Sequence, residues 1–322
     1  MNVELPAASP VVTIVVPARN EEACVGDCLA SLVAQTGVAF EIIMVDDHST
    51  DRTAEIARSF AEVRVISAGP LPEGWTGKNN ALIAGVKQAR GEWLLFTDAD
   101  TVHLPGSLAR ALEEAKNERV DLLSYSPQQV VVTFAEKVVM PVIFAELAAQ
   151  YPPEKVREQG SGVVAANGQY MLVKRTVYER LGGHRTVAAD VLEDVALARR
   201  FKQVGSRVFF RYGGDAVRTR MYRSWEQLCE GWTKNLALLF IHPVKRAVLL
   251  AAWWIVAWVT LPMVFPVLLL YLRIRRAHFG WRTTIVALAF GPPVFAYLLL
   301  RSARAYAHGG VTWKGRTYEA AA

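Results

Sequence analysis

Trp93-Leu94-Leu95-Phe96-Thr97-Asp98-Ala99-Asp100 decides the fold: an apolar run of strand length that ends in two carboxylates spaced i, i+2. Such a run reads as a buried strand, of the kind that parallel sheets provide. Two carboxylates where it ends can hold a divalent metal against a diphosphate, because hard cations take oxygen ligands and keep positions for substrate phosphates. The same pattern also serves as a solvated turn or a helix cap. Three other polar clusters fall at strand ends in the first two hundred residues, and the carboxyl ends of parallel strands are where such sheets bind ligands.

Outward from this stretch, strands and helices alternate. Val11 to Val16 is a β-rich run closed by Pro17, and Ala23 to Val33 carries Cys24, Cys28, Leu29 and Leu32 at the spacing of an amphipathic helix. Glu41 to Val45 is the next strand, ending at Asp46-Asp47, after which Ser49 or Thr50 caps a helix through Ala61. Val63 to Ile66 is a third strand, and helices at Asn79 to Gln88 and Pro105 to Asn117 flank the fourth, Trp93 to Thr97. This is half of a doubly wound α/β sheet. The first strand is followed by Pro17-Ala18-Arg19-Asn20-Glu21-Glu22 and has no G-x-G-x-x-G turn, which argues against a dinucleotide-dependent dehydrogenase.

The 322 residues suit one catalytic domain with an appendage, set at 1–235 and 236–322. Val248 to Leu272 is apolar apart from Thr260 and has the length of a bilayer-crossing helix. Thr283 to Leu300 is a second apolar segment, interrupted by Pro292-Pro293, and reads either as a crossing or as a kinked buried helix. From Leu236 onward there are ten Lys/Arg and one Glu, which leaves 26 basic against 29 acidic groups before it. The N-terminal part is thus no basic nucleic-acid domain. Lys245, Arg246, Arg273, Arg275, Arg276, Arg282, Arg301 and Arg304 flank the apolar segments, as contacts with anionic headgroups would. Met1 to Pro10 has neither the basic region nor the apolar core of a signal peptide, so the N-terminal domain is expected in the cytoplasm. Cys24, Cys28 and Cys229 are too few for a disulfide framework; Cys24 and Cys28 at i, i+4 read as a packed helix face.

VVPARNEE, IIMVDDHSTDRT, GWTGKNNALIAG, LLFTDAD and VLEDVALARRFKQVG, in this order between Val11 and Lys234, resemble the motifs of family 2 glycosyltransferases. The resemblance implies a GT-A fold and an inverting transfer from a UDP-sugar with Mg²⁺ or Mn²⁺. It places Pro17, Arg19, Glu21 and Asp47 at the nucleotide, with Asp47 on the uracil, Lys78 on the diphosphate and Asp98 on the ribose. Asp100 would hold the metal that stabilises the departing UDP. In the acidic pair Glu193-Asp194, Asp194 would be the base that takes the acceptor's hydroxyl proton. Asp194 also stands where a helix N-terminus would be capped.

The family's Gln/Arg-x-x-Arg-Trp motif is degenerate: Trp232 is kept, but Gly231 stands where Arg is expected, which argues against processive polysaccharide synthesis. Trp75, Trp232 and Lys234 are acceptor-side candidates, Trp232 as a stacking face or an interfacial anchor. The Gly74-Trp75-Thr76-Gly77-Lys78 loop, the Gly231-Trp232-Thr233-Lys234-Asn235 stretch and the closing Val311 to Arg316 resemble a membrane-anchored bacterial subgroup linked to carotenoid and hopanoid glycosylation, similar also to ceramide glucosyltransferases. The expected acceptor is a membrane lipid hydroxyl, with C-terminal transmembrane helices in a bacterial inner membrane and the catalytic domain in the cytoplasm. Two alternatives stay open: transfer to polyprenyl phosphate with Arg218, Arg220 and Arg223 as its basic pocket, and a catalytically inactive nucleotide-sugar-binding protein. Topology stays open too. Two crossings would put Arg273, Arg275, Arg276 and Arg282 outside, against the positive-inside tendency, whereas Pro262 and Pro266 would let the first segment re-enter.

Overall fold

The structure, a computed structural model, describes residues 9–259 and 264–318; of 257–259 and 264–266 only the backbone is described. The strands are β1 (Val12–Ala18), β2 (Phe40–Asp46), β3 (Val63–Ser67), β4 (Trp93–Phe96), β5 (Thr101–His103), β6 (Leu122–Ser126), β7 (Gln128–Gln129), β8 (Met171–Lys174), β9 (Val208–Tyr212), β10 (Val217–Thr219), β11 (Val311–Trp313) and β12 (Arg316–Tyr318). The helices are α1 (Val25–Val33), α2 (Thr53–Arg58), α3 (Gly77–Val86), α4 (Ser107–Asn117), α5 (Phe134–Gln150), α6 (Pro153–Arg157), α7 (Arg175–Arg180), α8 (Glu193–Gln203), α9 (Trp225–Leu239), α10 (Pro243–Val259), α11 (Val264–Arg276) and α12 (Trp281–Ala307).

Two compact units divide the chain, one made of residues 1–128 and 153–219, the other of 129–152 and 220–322. A single boundary at residue 235 was the expectation; instead α5 and α9 belong with the C-terminal helices.

In the first unit a seven-stranded sheet runs β3-β2-β1-β4-β8-β6-β9. Its β3-β2-β1-β4 half is parallel, in the order of a doubly wound sheet. Beyond β4 the sheet is mixed, because β8 pairs antiparallel with both β4 and β6. Val12, Ile14, Val16, Met44 and Leu95 project from the strands into a core shared with Leu29 and Leu32 of α1. Pro17 lies inside β1 and does not close it. The ladder with β4 ends at Val15 and Phe96, so the missing N–H falls beyond it. The second helix is also shorter than expected. It starts at Thr53, whose N–H donates to Asp51 Oδ1 at 3.0 Å, and neither Ser49 nor Thr50 caps it.

The second unit packs α5, α9, α10, α11 and α12 around Val139, Ile143, Trp232, Phe295 and Leu298. Within the apolar run Val248 to Leu272 the described residues form α10, up to Val259, and α11, from Val264; Thr260 and Pro262 lie outside the described residues, as does the side chain of Pro266. The segment with Pro292-Pro293 is instead continuous within α12, the one described helix long and apolar enough to cross a membrane, and 44% of its apolar window is buried in the protein. At Gly291 an added Cβ would lie 2.6 Å from the Val138 carbonyl oxygen, so this turn of α12 rests directly on α5.

Helix and sheet approach closely at Gly85 of α3, where a Cβ would overlap the Val15 side chain and come within 3.1 Å of Val45. Gly85→Ala should therefore lower thermal stability by about 1–3 kcal/mol despite alanine's better helix propensity, read as a fall in melting temperature; an unchanged or raised value would show that the layer has room.

Candidate active site

The loops after β1 and β2 are laced together. Arg19 Nη1 donates to the carbonyls of Asp47 at 2.7 Å and His48 at 3.2 Å, the latter residue at φ +56°. Asn20, at φ +53°, accepts the Thr50 N–H on its side-chain oxygen at 2.8 Å, and its own N–H donates to Ser49 Oγ at 3.1 Å. The Glu21 N–H donates to Thr53 Oγ1 at 2.7 Å. Left-handed backbone at non-glycine residues persists only where its surroundings hold it, and these bonds hold it. Pro17, Arg19, Glu21 and the buried Asp47 thereby share one wall at the carboxyl ends of β1 and β2.

A second group forms where α3, β4 and α8 begin or end. Lys78 Nζ lies 2.7 Å from Asp98 Oδ1 and 2.8 Å from Glu193 Oε1, bridging two carboxylates 95 positions apart. Thr76 starts this helix by accepting the Asn79 N–H on its hydroxyl at 3.2 Å. Asn79 then donates its side-chain amide to the carbonyls of Val187, Ala188 and Asp190, at 2.8, 3.1 and 3.2 Å, which ties the segment before Glu193 to the start of α3. Lys78, which the resemblance assigns to a diphosphate, is thus found between two carboxylates. Burial alone would lower its pKa, but Asp98 and Glu193 raise it well above the usual value and keep it charged.

Asp194 sits beside this bridge. Its Oδ2 accepts the Gly168 N–H and its Oδ1 the Val195 N–H, both at 2.8 Å; it lies inside α8, which starts after Leu192 without a side-chain cap. Burial, with the neighbouring Glu193 charge adding to it, pushes its carboxyl up to about 6, against the opposing pull of Lys78. A carboxylate so raised is a proton acceptor suited to near-neutral conditions.

Asp100 is held by Gln169, whose Nε2 is 3.3 Å from each carboxylate oxygen and also donates to Thr219 Oγ1 at 3.1 Å. The Thr219 hydroxyl donates in turn to the Asp100 carbonyl at 3.3 Å. This chain fixes which end of the Gln169 amide faces Asp100 and leaves its buried Oε1 without a partner. Beneath it, the Thr97 and Thr101 hydroxyls and His103 Nε2 form a buried polar cluster, in which burial pushes His103 down to about 3 and so keeps it neutral. No group of three or more His, Cys, Asp or Glu is gathered for a metal among the described residues. One acidic ligand with the remaining positions left to phosphate and water suits Mg²⁺ or Mn²⁺, and Asp100 fits that donor set.

Asn79, Gly168 and Gln169 are site residues the sequence reading did not single out. Gly168 leaves room for the bridge: an added Cβ would lie 2.9 Å from Lys78 Nζ and 3.1 Å from Glu193 Oε1. Its only sequence signal is the Asn167-Gly168 dipeptide before β8, which reads as a turn. Trp75 is half-buried in the loop before α3. Trp232 and Lys234 belong to the other compact unit. There Trp232 is 2% exposed, its ring N–H donating to Met140 Sδ and its faces set against Phe144 and Tyr222, so it offers no surface to sugar or lipid. Gly231 is fixed by the same packing, since a Cβ there would overlap the Tyr222 ring. Lys234 Nζ lies 5.3 Å from the centre of the Trp313 ring, linking the two lysine-tryptophan stretches of the unit. Arg220 of the suspected basic pocket is engaged, its Nε 3.0 Å from the buried Glu136. Cys28 is buried against Thr101, with burial raising its thiol to about 12, which suits packing and not metal ligation.

Curated relatives include the 4,4'-diaponeurosporenoate glycosyltransferase of Staphylococcus aureus, 30% identical over 234 residues that make up 70% of this chain and 60% of the relative. The chain thus spans less than two thirds of that protein's length. Among solved structures, S. aureus TarS 1–349 in complex with UDP-GlcNAc is 15% identical with a TM-score of 0.47, covering 90% of this chain and 88% of that one. Glucosyl-3-phosphoglycerate synthase from Mycobacterium tuberculosis, in complex with Mn²⁺, UDP and glucosyl-3-phosphoglycerate, is 22% identical with a TM-score of 0.49, covering 71% and 78%. The model of glycosyl transferase family 2 matches residues 13–182, which hold β1 to β4, the laced loops, Lys78 and the Asp98–Asp100 turn, and the chain belongs to that family of enzymes, with an α/β GT-A-like fold built on a mixed sheet.

Proposed function

We propose that the protein transfers a sugar, with inversion, from a UDP-sugar to the hydroxyl of a membrane lipid of carotenoid or hopanoid kind. The observation that carries this reading is Asp194: a carboxylate aimed by two backbone N–H groups, yet raised to about 6 by burial and by Glu193. In the ionised state it takes the proton of the acceptor hydroxyl as that oxygen attacks the anomeric carbon; the bond to the acceptor oxygen forms while the bond to the UDP oxygen breaks. Lys78, fixed by Asp98 and Glu193, keeps positive charge beside the place where the departing diphosphate gains negative charge. Asp100, steadied by Gln169, is the residue that would hold Mg²⁺ or Mn²⁺. The cation, when bound, supplies Lewis-acid stabilisation of the leaving phosphate. The donor wall is Pro17, Arg19, Glu21 and Asp47, with Asp98 at the ribose and Trp75 toward the acceptor.

The lipid acceptor is supported by the relative whose name records transfer to a carotenoid acid, and by the exposed Val248, Leu249, Ile255, Leu268 and Leu269 on the C-terminal helices. Attachment to a bacterial inner membrane, with the first unit in the cytoplasm, would raise the effective concentration of such an acceptor.

The site can be tested residue by residue. Asp194→Asn should lose about 10²–10⁴-fold in turnover and keep UDP affinity in calorimetric titration; retained turnover would remove Asp194 from proton transfer. The active form is the deprotonated one, so kcat/KM should rise with pH through about 6 and level off above it, and Glu193→Gln should move that midpoint lower by removing the adjacent negative charge. Asp100→Ala should abolish the part of UDP binding that depends on Mn²⁺ while leaving the melting temperature near the parent value; unchanged metal-dependent affinity would exclude Asp100 as the ligand. Gly168→Ala should displace the Lys78 ammonium and cost at least tenfold in kcat at little change in overall fold, measured by turnover alongside circular dichroism; full activity would show that the bridge is not needed.

A further inference from the structure

The second unit carries a charge clamp that no part of the transfer reaction uses. Glu146, near the end of α5, has a side chain only 8% exposed, and it is shared by two arginines. Arg246 in the first turn of α10 pairs with its Oε2, and Arg273 in the last turn of α11 lies 3.3 Å from its Oε1. The Arg246 guanidinium also donates to Gln150 Oε1 at 3.3 Å, and Gln150 donates to the Leu239 carbonyl at 2.8 Å, where α9 gives way to α10. Hence the start of α10 and the end of α11 meet at one carboxylate. Whatever these helices enter, they leave at the level at which they went in.

The described parts of α10 and α11 agree with that. Their outer faces are apolar and exposed, at Val248, Leu249, Ile255, Leu268, Leu269 and Leu272. Charge is confined to the clamped ends, where Lys245, Arg246, Arg273, Arg275 and Arg276 gather, and the sequence has no Asp or Glu between Glu230 and Glu319. A surface of this composition complements the anionic headgroups of a lipid leaflet, with apolar side chains below them. The end of α12 and the segment after it are tied to α9: Ser302 Oγ donates to the Thr233 carbonyl at 2.6 Å, Tyr306 to the Lys234 carbonyl at 2.7 Å, and the Lys314 N–H to Glu230 Oε1 at 3.2 Å.

We propose that α10 and α11 form a one-sided membrane anchor that enters a single lipid leaflet and returns to the same face, its open end locked by Glu146 between Arg246 and Arg273. This resolves the conflict with the positive-inside tendency, since Arg273, Arg275 and Arg276 then stay on the face where the segment began. The inference rests on the membrane association proposed above, and its test keeps the two apart.

Full-length protein is first floated with vesicles of phosphatidylcholine alone and of phosphatidylcholine with phosphatidylglycerol. Binding to the anionic vesicles is expected, weakened by about a factor of five for each basic residue removed in Arg275→Gln and Arg276→Gln; no binding to either would overturn both the membrane association and the anchor. Single cysteines at Val244→Cys, Ala277→Cys and the exposed catalytic-unit position Glu118→Cys, in a chain whose own three cysteines are replaced, are then treated with a membrane-impermeant maleimide in sealed vesicles. All three should react from the same face. Reaction of Val244→Cys and Ala277→Cys from opposite faces, in protein that floats, would overturn the one-sided anchor and leave the membrane association standing.

Discussion

One lysine faces three carboxylates, and the catalytic unit is organised by that imbalance. Lys78 is close enough to Asp98 and Glu193 for direct ion pairs with both. Asp194 is left with backbone N–H groups and a like-charged neighbour. The positive charge is therefore spent on holding α3, the end of β4 and α8 together, and the remaining carboxylate keeps its basicity. The bridge is reached only because the Thr76 cap starts α3 beside the 187–190 segment and Asn79 fastens the two. At Gly168 the chain passes flush against Lys78, Glu193 and Asp194.

The second unit solves the opposite problem, with one carboxylate between two guanidiniums. Removing the cations around a buried carboxylate such as Glu146 leaves its charge uncompensated, which is why such clusters fix geometry even when their net contribution to stability is small. In the catalytic unit the arrangement aims a base; in the helical unit it sets where two apolar helices begin and end.

Much of this was legible in the sequence because it is local. The four strands at Val12, Phe40, Val63 and Trp93 announce themselves by apolar runs of strand length, and their parallel order follows from the helices between them. Asp98, Asp100, Glu193 and Asp194 stand at element ends, where short polar pairs are conspicuous. What the sequence hid is long-range. Asn79 lies 108 or more positions from its three carbonyl partners, and Gln169 lies 69 from Asp100. Nothing in their local context separates them from ordinary surface amides. The antiparallel direction of β8 is likewise decided by pairing across the sheet. Trp232 reads as an interfacial aromatic from composition alone, and only the packing of Met140, Phe144 and Tyr222 around it makes it a core residue. Hydropathy reads Val248 to Leu272 as one span, since a window average does not register that Arg246 and Arg273 close on the same carboxylate.

The protonation behaviour of Asp194 bears most directly on this account. Carbon-13 carboxyl NMR of the full-length protein, with the resonance assigned by its loss in Asp194→Asn, should show a titration midpoint near 6, well above the ordinary aspartate range. A midpoint near 4 would mean that Lys78 neutralises Asp194 as it does its neighbours, and the division of labour among the three carboxylates would fall.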